Sequence, residues 1–205
     1  MKILVVGGAG YVGGVVTDEF LKRKNDVIVF DNLTYEESFR KECKFVNGDV
    51  RNKKLLKKYL NWADLVVWMA ALVGDGACSI NPKVTFDINS ESVKYLAKNF
   101  NKKIIFFSTC SVYGEQDGII DEDANLNPLS IYAKSKILAE KYLKNKKVFI
   151  FRLGTLFGVG DNYSRIRMDL AVNTLTAKAF FEKKLTIFGG NQYRPLLHVK
   201  DAARA

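Results

Sequence analysis

The chain has 205 residues, of which 48% are apolar, 26% charged and 12% aromatic, with only three prolines. That suffices for one well-packed domain or slightly more, and it excludes disordered, collagenous and low-complexity chains. A formal charge of +10 fits either anionic partners or a Lys-rich solvated surface. The basic clusters, such as Lys53–Lys54 and Lys57–Lys58, lack interleaved aromatics, so nucleic acid is not the expected partner. Cys43, Cys78 and Cys110 are widely spaced with no Cys-x-x-Cys pair, which argues against disulfides and against any metal site and suits a reducing cytoplasm. The apolar start at Met1–Val6 breaks at once into glycines, and Leu65–Val73 is too short to span a bilayer, so a soluble chain without a membrane partner is expected.

In chain order, short β-rich runs alternate with longer helical patterns. Ile3–Val6 reads as a strand, Tyr11–Lys24 as a helix, and Val27–Phe30 and Lys44–Val46 as further strands. A Lys/Leu helix over Lys53–Leu60 precedes the strand Leu65–Trp68, and a helix over Pro82–Asn99 leads to the apolar strand Ile104–Phe107. A helix over Leu129–Lys144 then feeds the strand Val148–Phe151. Apolar strands separated by helices predict a doubly wound, parallel α/β sheet of Rossmann type, covered on both faces. After Arg152 the regularity weakens into a glycine-bearing loop, a helix near Met168–Phe181 and a short apolar run, Leu185–Phe188. The domain reading is therefore residues 1–152 as a dinucleotide-binding unit and 153–205 as a mixed segment.

Gly7-Gly8-Ala9-Gly10-Tyr11-Val12-Gly13 lies directly between the first strand and the first helix. Glycines at that junction let the chain turn tightly, let backbone N–H groups approach a pyrophosphate and let the helix pack on the strand. Gly7, Gly10, Tyr11, Val12 and Gly13 are accordingly the first cofactor-binding candidates. Asp31 ends the second strand 18 residues beyond Gly13, where a carboxylate accepts ribose hydroxyls and repels a 2′-phosphate. Asn32 and the residues after it supply no arginine for such a phosphate, so NAD is favoured over NADP. Asp49-Val50-Arg51 follows the third strand: Asp49 either meets the adenine edge or caps the helix beginning near Asn52.

Tyr132 and Lys136 are four apart in a predicted helix and share one face. A nearby ammonium and an oxidised nicotinamide would both favour the phenolate, drawing the tyrosine down towards working pH. Such a tyrosine takes the proton of a sugar hydroxyl. Ser108-Thr109-Cys110-Ser111-Val112-Tyr113-Gly114 follows the fifth strand and offers a hydroxyl to the same reacting oxygen.

With these residues in hand, the sequence resembles the extended short-chain dehydrogenase/reductase family, the NAD-dependent nucleotide-sugar epimerases and dehydratases. The resemblance rests on the glycine loop, Asp31, Asp49–Arg51, Ala70-Ala71, Ser108–Gly114, Tyr132/Lys136 and Arg194–Ala203. It implies that Thr109, Tyr132 and Lys136 are catalytic, with Lys136 also holding the cofactor ribose and Ala70-Ala71 beside the cofactor. It sets Asn89 near the cofactor, with a helix-internal polar contact as the alternative. Arg194 matches an arginine that grips the substrate diphosphate, or it forms a surface ion pair. Asn173, with Arg165 and Arg167 before it, falls in the part expected to meet the sugar nucleotide.

Two departures matter. Where the family's 4,6-dehydratases carry Asp-Glu after the catalytic Thr, this chain has Cys110-Ser111, which disfavours 4,6-dehydration. Thr155 stands where many of the epimerases carry asparagine. Cys110 is read as a small core or pocket residue, and His198 as a packing or hydrogen-bonding one. The resemblance implies an NAD-dependent enzyme acting on a nucleotide-diphosphate sugar, with a 4-epimerase preferred. A reductase or dehydrogenase with the same residues is the alternative, and a non-catalytic dinucleotide-binding module the rival. Homodimerisation through the helices near Pro82–Asn99 and Leu129–Lys144 is implied by resemblance alone. The chain is short for that family, so a truncated chain is expected: a nearly whole cofactor domain with part of the substrate lobe.

Overall fold

The computed structural model describes residues 1–187 and 189–205. Its frame is a six-stranded sheet in the order β3-β2-β1-β4-β5-β6, every neighbouring pair parallel. These strands are β1 (Lys2–Val6), β2 (Asp26–Asp31), β3 (Lys44–Asn47), β4 (Leu65–Trp68), β5 (Lys103–Thr109) and β6 (Val148–Leu153). A parallel strand covered on both faces needs an uninterrupted apolar run rather than alternation, and Ile3, Leu4, Val5 and Val6 are all fully buried.

Strand β1 pairs with β2 on one side, Val5 facing Val29, and with β4 on the other, Val5 facing Val67. The winding direction reverses between β1 and β4. The loops leaving their carboxyl ends diverge there and open a crevice, which is where ligands bind in open α/β sheets.

Alternate residues of the strands feed two cores. Leu4, Val6, Phe30, Trp68 and Phe106 face helices α2 (Lys53–Trp62), α5 (Ser92–Asn99) and α6 (Ile131–Leu143) through Leu56, Leu60, Leu96, Ala139 and Leu143. Ile3, Val5, Val27, Val29 and Val67 face α1 (Tyr11–Lys22) through Val16. Helix α2 starts at Asn52, whose side chain accepts from Leu55 N at 3.1 Å. Helix α6 starts at Ser130, which accepts from Ala133 N at 3.2 Å. Both supply an acceptor to an N–H that the first helical turn leaves unpaired.

The predicted Pro82–Asn99 helix is present, but it is not uniform. It runs as α4 (Pro82–Phe86), a π turn over Asp87–Glu91 and then α5, and it is preceded by a short helix, α3 (Asp75–Ile80), that the sequence pattern did not signal. Beyond β6 come β7 (Thr155–Phe157), α7 (Ala171–Glu182), β8 (Leu196–His198) and α8 (Val199–Arg204), with β7 and β8 forming a two-stranded parallel sheet. Helix α7 begins at Ala171 rather than near Met168, and none of its residues is buried. In the short apolar run, residues 185–187 form no strand and Phe188 lies outside the described residues. Among the described residues no helix is long and apolar enough to cross a membrane, and no group of His, Cys, Asp or Glu is placed to hold a metal ion.

Leu96 joins α5 to the sheet and is fully buried. Replacing it with alanine should destabilise the chain by about 3 kcal/mol through lost transfer energy and the cavity left behind. A lower urea midpoint at unchanged m-value is the expected reading; an unchanged midpoint would mean that this helix is not seated as described.

Candidate active site

The crevice is lined from the β1 side by Gly7, Gly10, Tyr11, Val12 and Gly13. Gly7 turns the chain out of β1 at a φ of +86°, and a Cβ there would lie 2.4 Å from the Ala70 nitrogen. A Cβ at Gly13 would lie 2.0 Å from the Gly7 carbonyl oxygen, so the first turn of α1 can press against the strand exit only with glycine at both positions. At Gly10 a Cβ would approach nothing closer than 4.0 Å, and this N-cap residue makes no side-chain cap bond. The first N–H groups of α1 thus face an open cradle carrying the positive end of the helix dipole. A dinucleotide pyrophosphate suits that site.

Asp31 closes the adjoining end of the crevice. Its carboxylate accepts from Ala9 N at 3.0 Å and from Leu33 N at 2.9 Å, one bond to each oxygen. Each oxygen keeps acceptor capacity for a ribose hydroxyl. Asn32, Asp49 and Val50 line the same end. The capping alternative for Asp49 is corrected by the geometry. Asn52 caps α2, while Asp49 is engaged by Arg51 Nη2 at 2.5 Å and Nε at 2.9 Å. Those hydrogen bonds hold the Asp49 carboxyl below its ordinary range.

Ala70, Ala71 and Leu72 form the opposite wall, after β4. Asn89, in the π turn and 1% exposed, does not open onto the crevice. Its Oδ1 accepts from Leu72 N at 2.8 Å, and its Nδ2 donates to Leu72 O and to Ser135 Oγ, both at 3.0 Å. Both amide hydrogens are spent within the protein, which is the polar-contact alternative of the sequence reading. The contact is not confined to its own helix, however: it bridges the crevice wall to α6. Ser90 Oγ adds a bond to Ser135 O at 2.9 Å. Sequence reasoning missed this link; the helix-interior pair Asn89-Ser90 was its one visible signal.

Tyr132 and Lys136 fall one turn apart on α6, around that anchored Ser135. Lys136 is only 2% exposed, and its Nζ sits over the Phe106 ring at 4.3 Å from the centroid. Among the described residues it makes no ion pair within 4.0 Å. Burial lowers its pKa to about 7, with Glu140 acting weakly in the opposite sense. Burial also raises the Tyr132 phenol well above its ordinary value. The expected lowering of Tyr132 by the neighbouring ammonium is therefore not what the protein by itself produces, because desolvation is the larger effect for both groups. Charges reaching Tyr132 come from Cys78, Arg167, Cys110 and Asp75, so it stands where the ends of α3, β5 and the loop before α7 converge.

Thr109 ends β5 and is 8% exposed. Its hydroxyl accepts from Ser111 N and donates to Ser111 Oγ, both at 3.1 Å, opening a single 3₁₀ turn over Cys110–Tyr113. Cys110 is half-buried and burial raises its thiol pKa, so it is no activated nucleophile. Beneath this turn lies a network that the sequence did not disclose. Ser108 Oγ donates to Glu140, and Arg152 grips Glu140 through Nη2 at 2.8 Å and Nε at 3.2 Å. Arg152 Nη1 also donates to the Tyr113 hydroxyl at 2.8 Å. This pair fixes α6 against β5 and β6.

Of the remaining candidates, Arg194, Asn173 and His198 stand apart from the crevice. Arg194 is exposed, and its positive charge reaches Cys110. Asn173 is turned to backbone: Oδ1 accepts from Gly158 N at 2.9 Å and Nδ2 donates to Arg167 O at 3.0 Å. Arg165 and Arg167 line the crevice itself. His198 caps α8 by accepting from Lys200 N at 3.2 Å and packs edge-on against Phe157.

A crossover sheet with a glycine cradle at its switch point and an acidic residue closing the adjoining strand defines a dinucleotide-binding α/β enzyme. The chain belongs to the NAD dependent epimerase/dehydratase family, whose model matches residues 3–205. It is 32% identical to a UDP-glucose 4-epimerase of Lactobacillus helveticus, over 98% of this chain and 69% of that protein. Among solved structures it is similar to the UDP-glucuronic acid 4-epimerase of Bacillus cereus in complex with UDP-glucuronic acid and NAD. That similarity has a TM-score of 0.83 and 28% identity, over 100% of this chain and 71% of the other. It is also similar to TunA, an NAD-dependent NDP-hexosamine 5,6-dehydratase, with a TM-score of 0.84 and 26% identity, over 100% of this chain and 70% of that one.

The depressed pKa of Lys136 gives a signed prediction. An unfolded lysine titrates near 10.5 and the buried one near 7, so between those values the unfolded chain binds more protons and stability rises with pH. The burial penalty is fully present below about 7 and relieved above about 10.5. Lys136→Met should flatten that part of the curve for the cofactor-free protein and stabilise it at neutral pH, read by denaturant titration across the range. A wild-type curve that already lacks the rise would contradict the burial of this group.

Proposed function

We propose that the chain is an NAD-dependent 4-epimerase of a UDP-sugar, working through a transient 4-keto sugar. The observation that supports it most is the Asn89 bridge, which joins Leu72 on the cofactor-crevice wall to the turn of α6 that bears Tyr132 and Lys136. The two 4-epimerases named above, each matched over about the same span, support the same carbon.

In this reading residues 1–152 hold the cofactor and residues 153–205 contribute to the sugar-binding side. The N–H groups of the glycine loop face the pyrophosphate, and Asp31 accepts the adenosine ribose hydroxyls. Asn32, Asp49 and Val50 border the adenosine, Ala70 and Ala71 flank the cofactor, and Lys136 holds the nicotinamide ribose. NAD supplies the hydride acceptor and donor. Tyr132 takes the proton from the sugar C4 hydroxyl and returns it after the keto sugar has presented its other face. Thr109 exchanges its local bond to Ser111 for one to the same C4 oxygen. Arg194 grips the diphosphate, and Asn173 orders the loop that meets the sugar nucleotide. Burial raises Tyr132, so proton removal requires added positive charge beside it, which oxidised nicotinamide would supply next to the protonated form of Lys136. The reading extends to a homodimer through the helices near Pro82–Asn99 and Leu129–Lys144.

Tyr132→Phe should cut turnover of UDP-glucose to UDP-galactose by about 10³-fold, the scale of a lost general base, while NAD binding measured by calorimetry stays within about twofold. Undiminished turnover in that variant would remove Tyr132 from the mechanism.

A further inference from the structure

A buried charged cluster lies outside the residues assigned above. Lys41, in the connection between β2 and β3, pairs with Asp161 at 2.5 Å and with Asp18 of α1 at 2.8 Å. The side chains of Lys41 and Asp161 are only 5% and 4% exposed. Burial pulls the Lys41 ammonium down, and the bonds and charges of the two carboxylates more than reverse that, leaving its pKa above the ordinary lysine value. Neither group touches the reacting end of the site, so the cluster needs its own account.

Asp161 belongs to the loop between β7 and α7, which lies on the turn of α1 that carries the glycine cradle. Tyr11 donates to Gly158 O at 2.7 Å. A Cβ at Gly160 would strike the Tyr11 ring at 2.4 Å, and one at Gly14 would strike Asp161 at 2.5 Å. Past this seat the loop reaches the Asp31 end of the crevice. Arg165 N donates to Glu36 at 2.7 Å, and the Arg165 guanidinium lies over the Tyr35 ring at 4.2 Å from the centroid. Tyr35, Glu36, Arg165 and Arg167 all line the crevice. Residues 158–169 thus form a strap, seated on α1 at one end and stacked on the β2–β3 connection at the other.

We propose that the Lys41–Asp161 ion pair is the latch of this strap, holding residues 158–169 across the adenosine end of the crevice and so setting how tightly the dinucleotide is retained. The proposal rests on the assignment of that crevice to NAD. Lys41 and Asp161 act as positioning residues, and the group they deliver is Arg165. Breaking a buried pair leaves one uncompensated charge, which favours release of the loop to water.

The test is calorimetric titration of the full chain with NAD and with ADP-ribose, which keeps the adenosine and pyrophosphate but lacks the nicotinamide. Lys41→Met should weaken both by about tenfold, ~1.4 kcal/mol, and Lys41→Arg, which keeps the charge, should restore most of the loss. Arg165→Ala, an exposed change that spares the fold, should show the same parallel loss, and hydrogen exchange at the Arg165 amide should accelerate in Lys41→Met. Wild-type chain that binds neither ligand would overturn the NAD assignment and the latch with it. Wild-type affinity retained in both Lys41→Met and Arg165→Ala would overturn the latch alone. Were Lys41→Met to prove unfolded, unchanged affinity in Arg165→Ala would still overturn it.

Discussion

The site depends on one close approach: the first turn of α1 against the exit of β1, where a Cβ at Gly13 would sit 2.0 Å from Gly7 O. That contact brings the helix N-terminus, with its uncapped N–H groups, to the carboxyl end of the sheet at the point where the winding reverses. An anionic ligand is drawn there by backbone donors and helix dipole together, with no charged side chain needed. The same turn is the seat of the 158–169 strap through Tyr11, Gly14 and Gly160. The geometry that makes the cradle therefore also fixes what lies across it.

The second half of the site is placed by polar groups spent entirely within the protein. Asn89 joins the β4 wall to Ser135, and Arg152 with Ser108 holds Glu140 on the next turn of α6. Asn89 makes the first of these from within the π turn over Asp87–Glu91. The helix so placed buries Lys136 and half-buries Tyr132, and desolvation biases both towards their neutral forms. In the proposed mechanism, proton transfer at Tyr132 is then conditional on positive charge arriving with the cofactor, which couples the chemistry to an occupied crevice.

Much of this was legible from residue order. The six strands of the main sheet, the glycine cradle and Asp31 follow from apolar runs and from glycines at a strand-to-helix junction, because parallel strands and tight turns constrain residue type locally. The part that was not legible is long-range. Nothing local marks Glu140 and Arg152 as partners, or Lys41 and Asp161, which lie 120 residues apart. The sequence offered two roles each for Asp49 and Asn89. Asp49 loses the cap to a local rival, Asn52, while Asn89 reaches out of its helix to another element. Spacing put Tyr132 and Lys136 on one face, but it carried no information on burial, which raises the phenol in the cofactor-free protein. Beyond β6, strands of three residues are too short to leave a periodic signal.

The central claim is that the sugar is oxidised and reduced at C4 without exchange with water at that carbon. Its most direct test is incubation of the NAD-loaded protein with UDP-glucose deuterated at C4, followed by NMR of the product. The account predicts UDP-galactose with the deuterium retained at C4, because the same hydrogen leaves and returns. Product carrying solvent hydrogen at C4, or inversion at any other carbon, would contradict it.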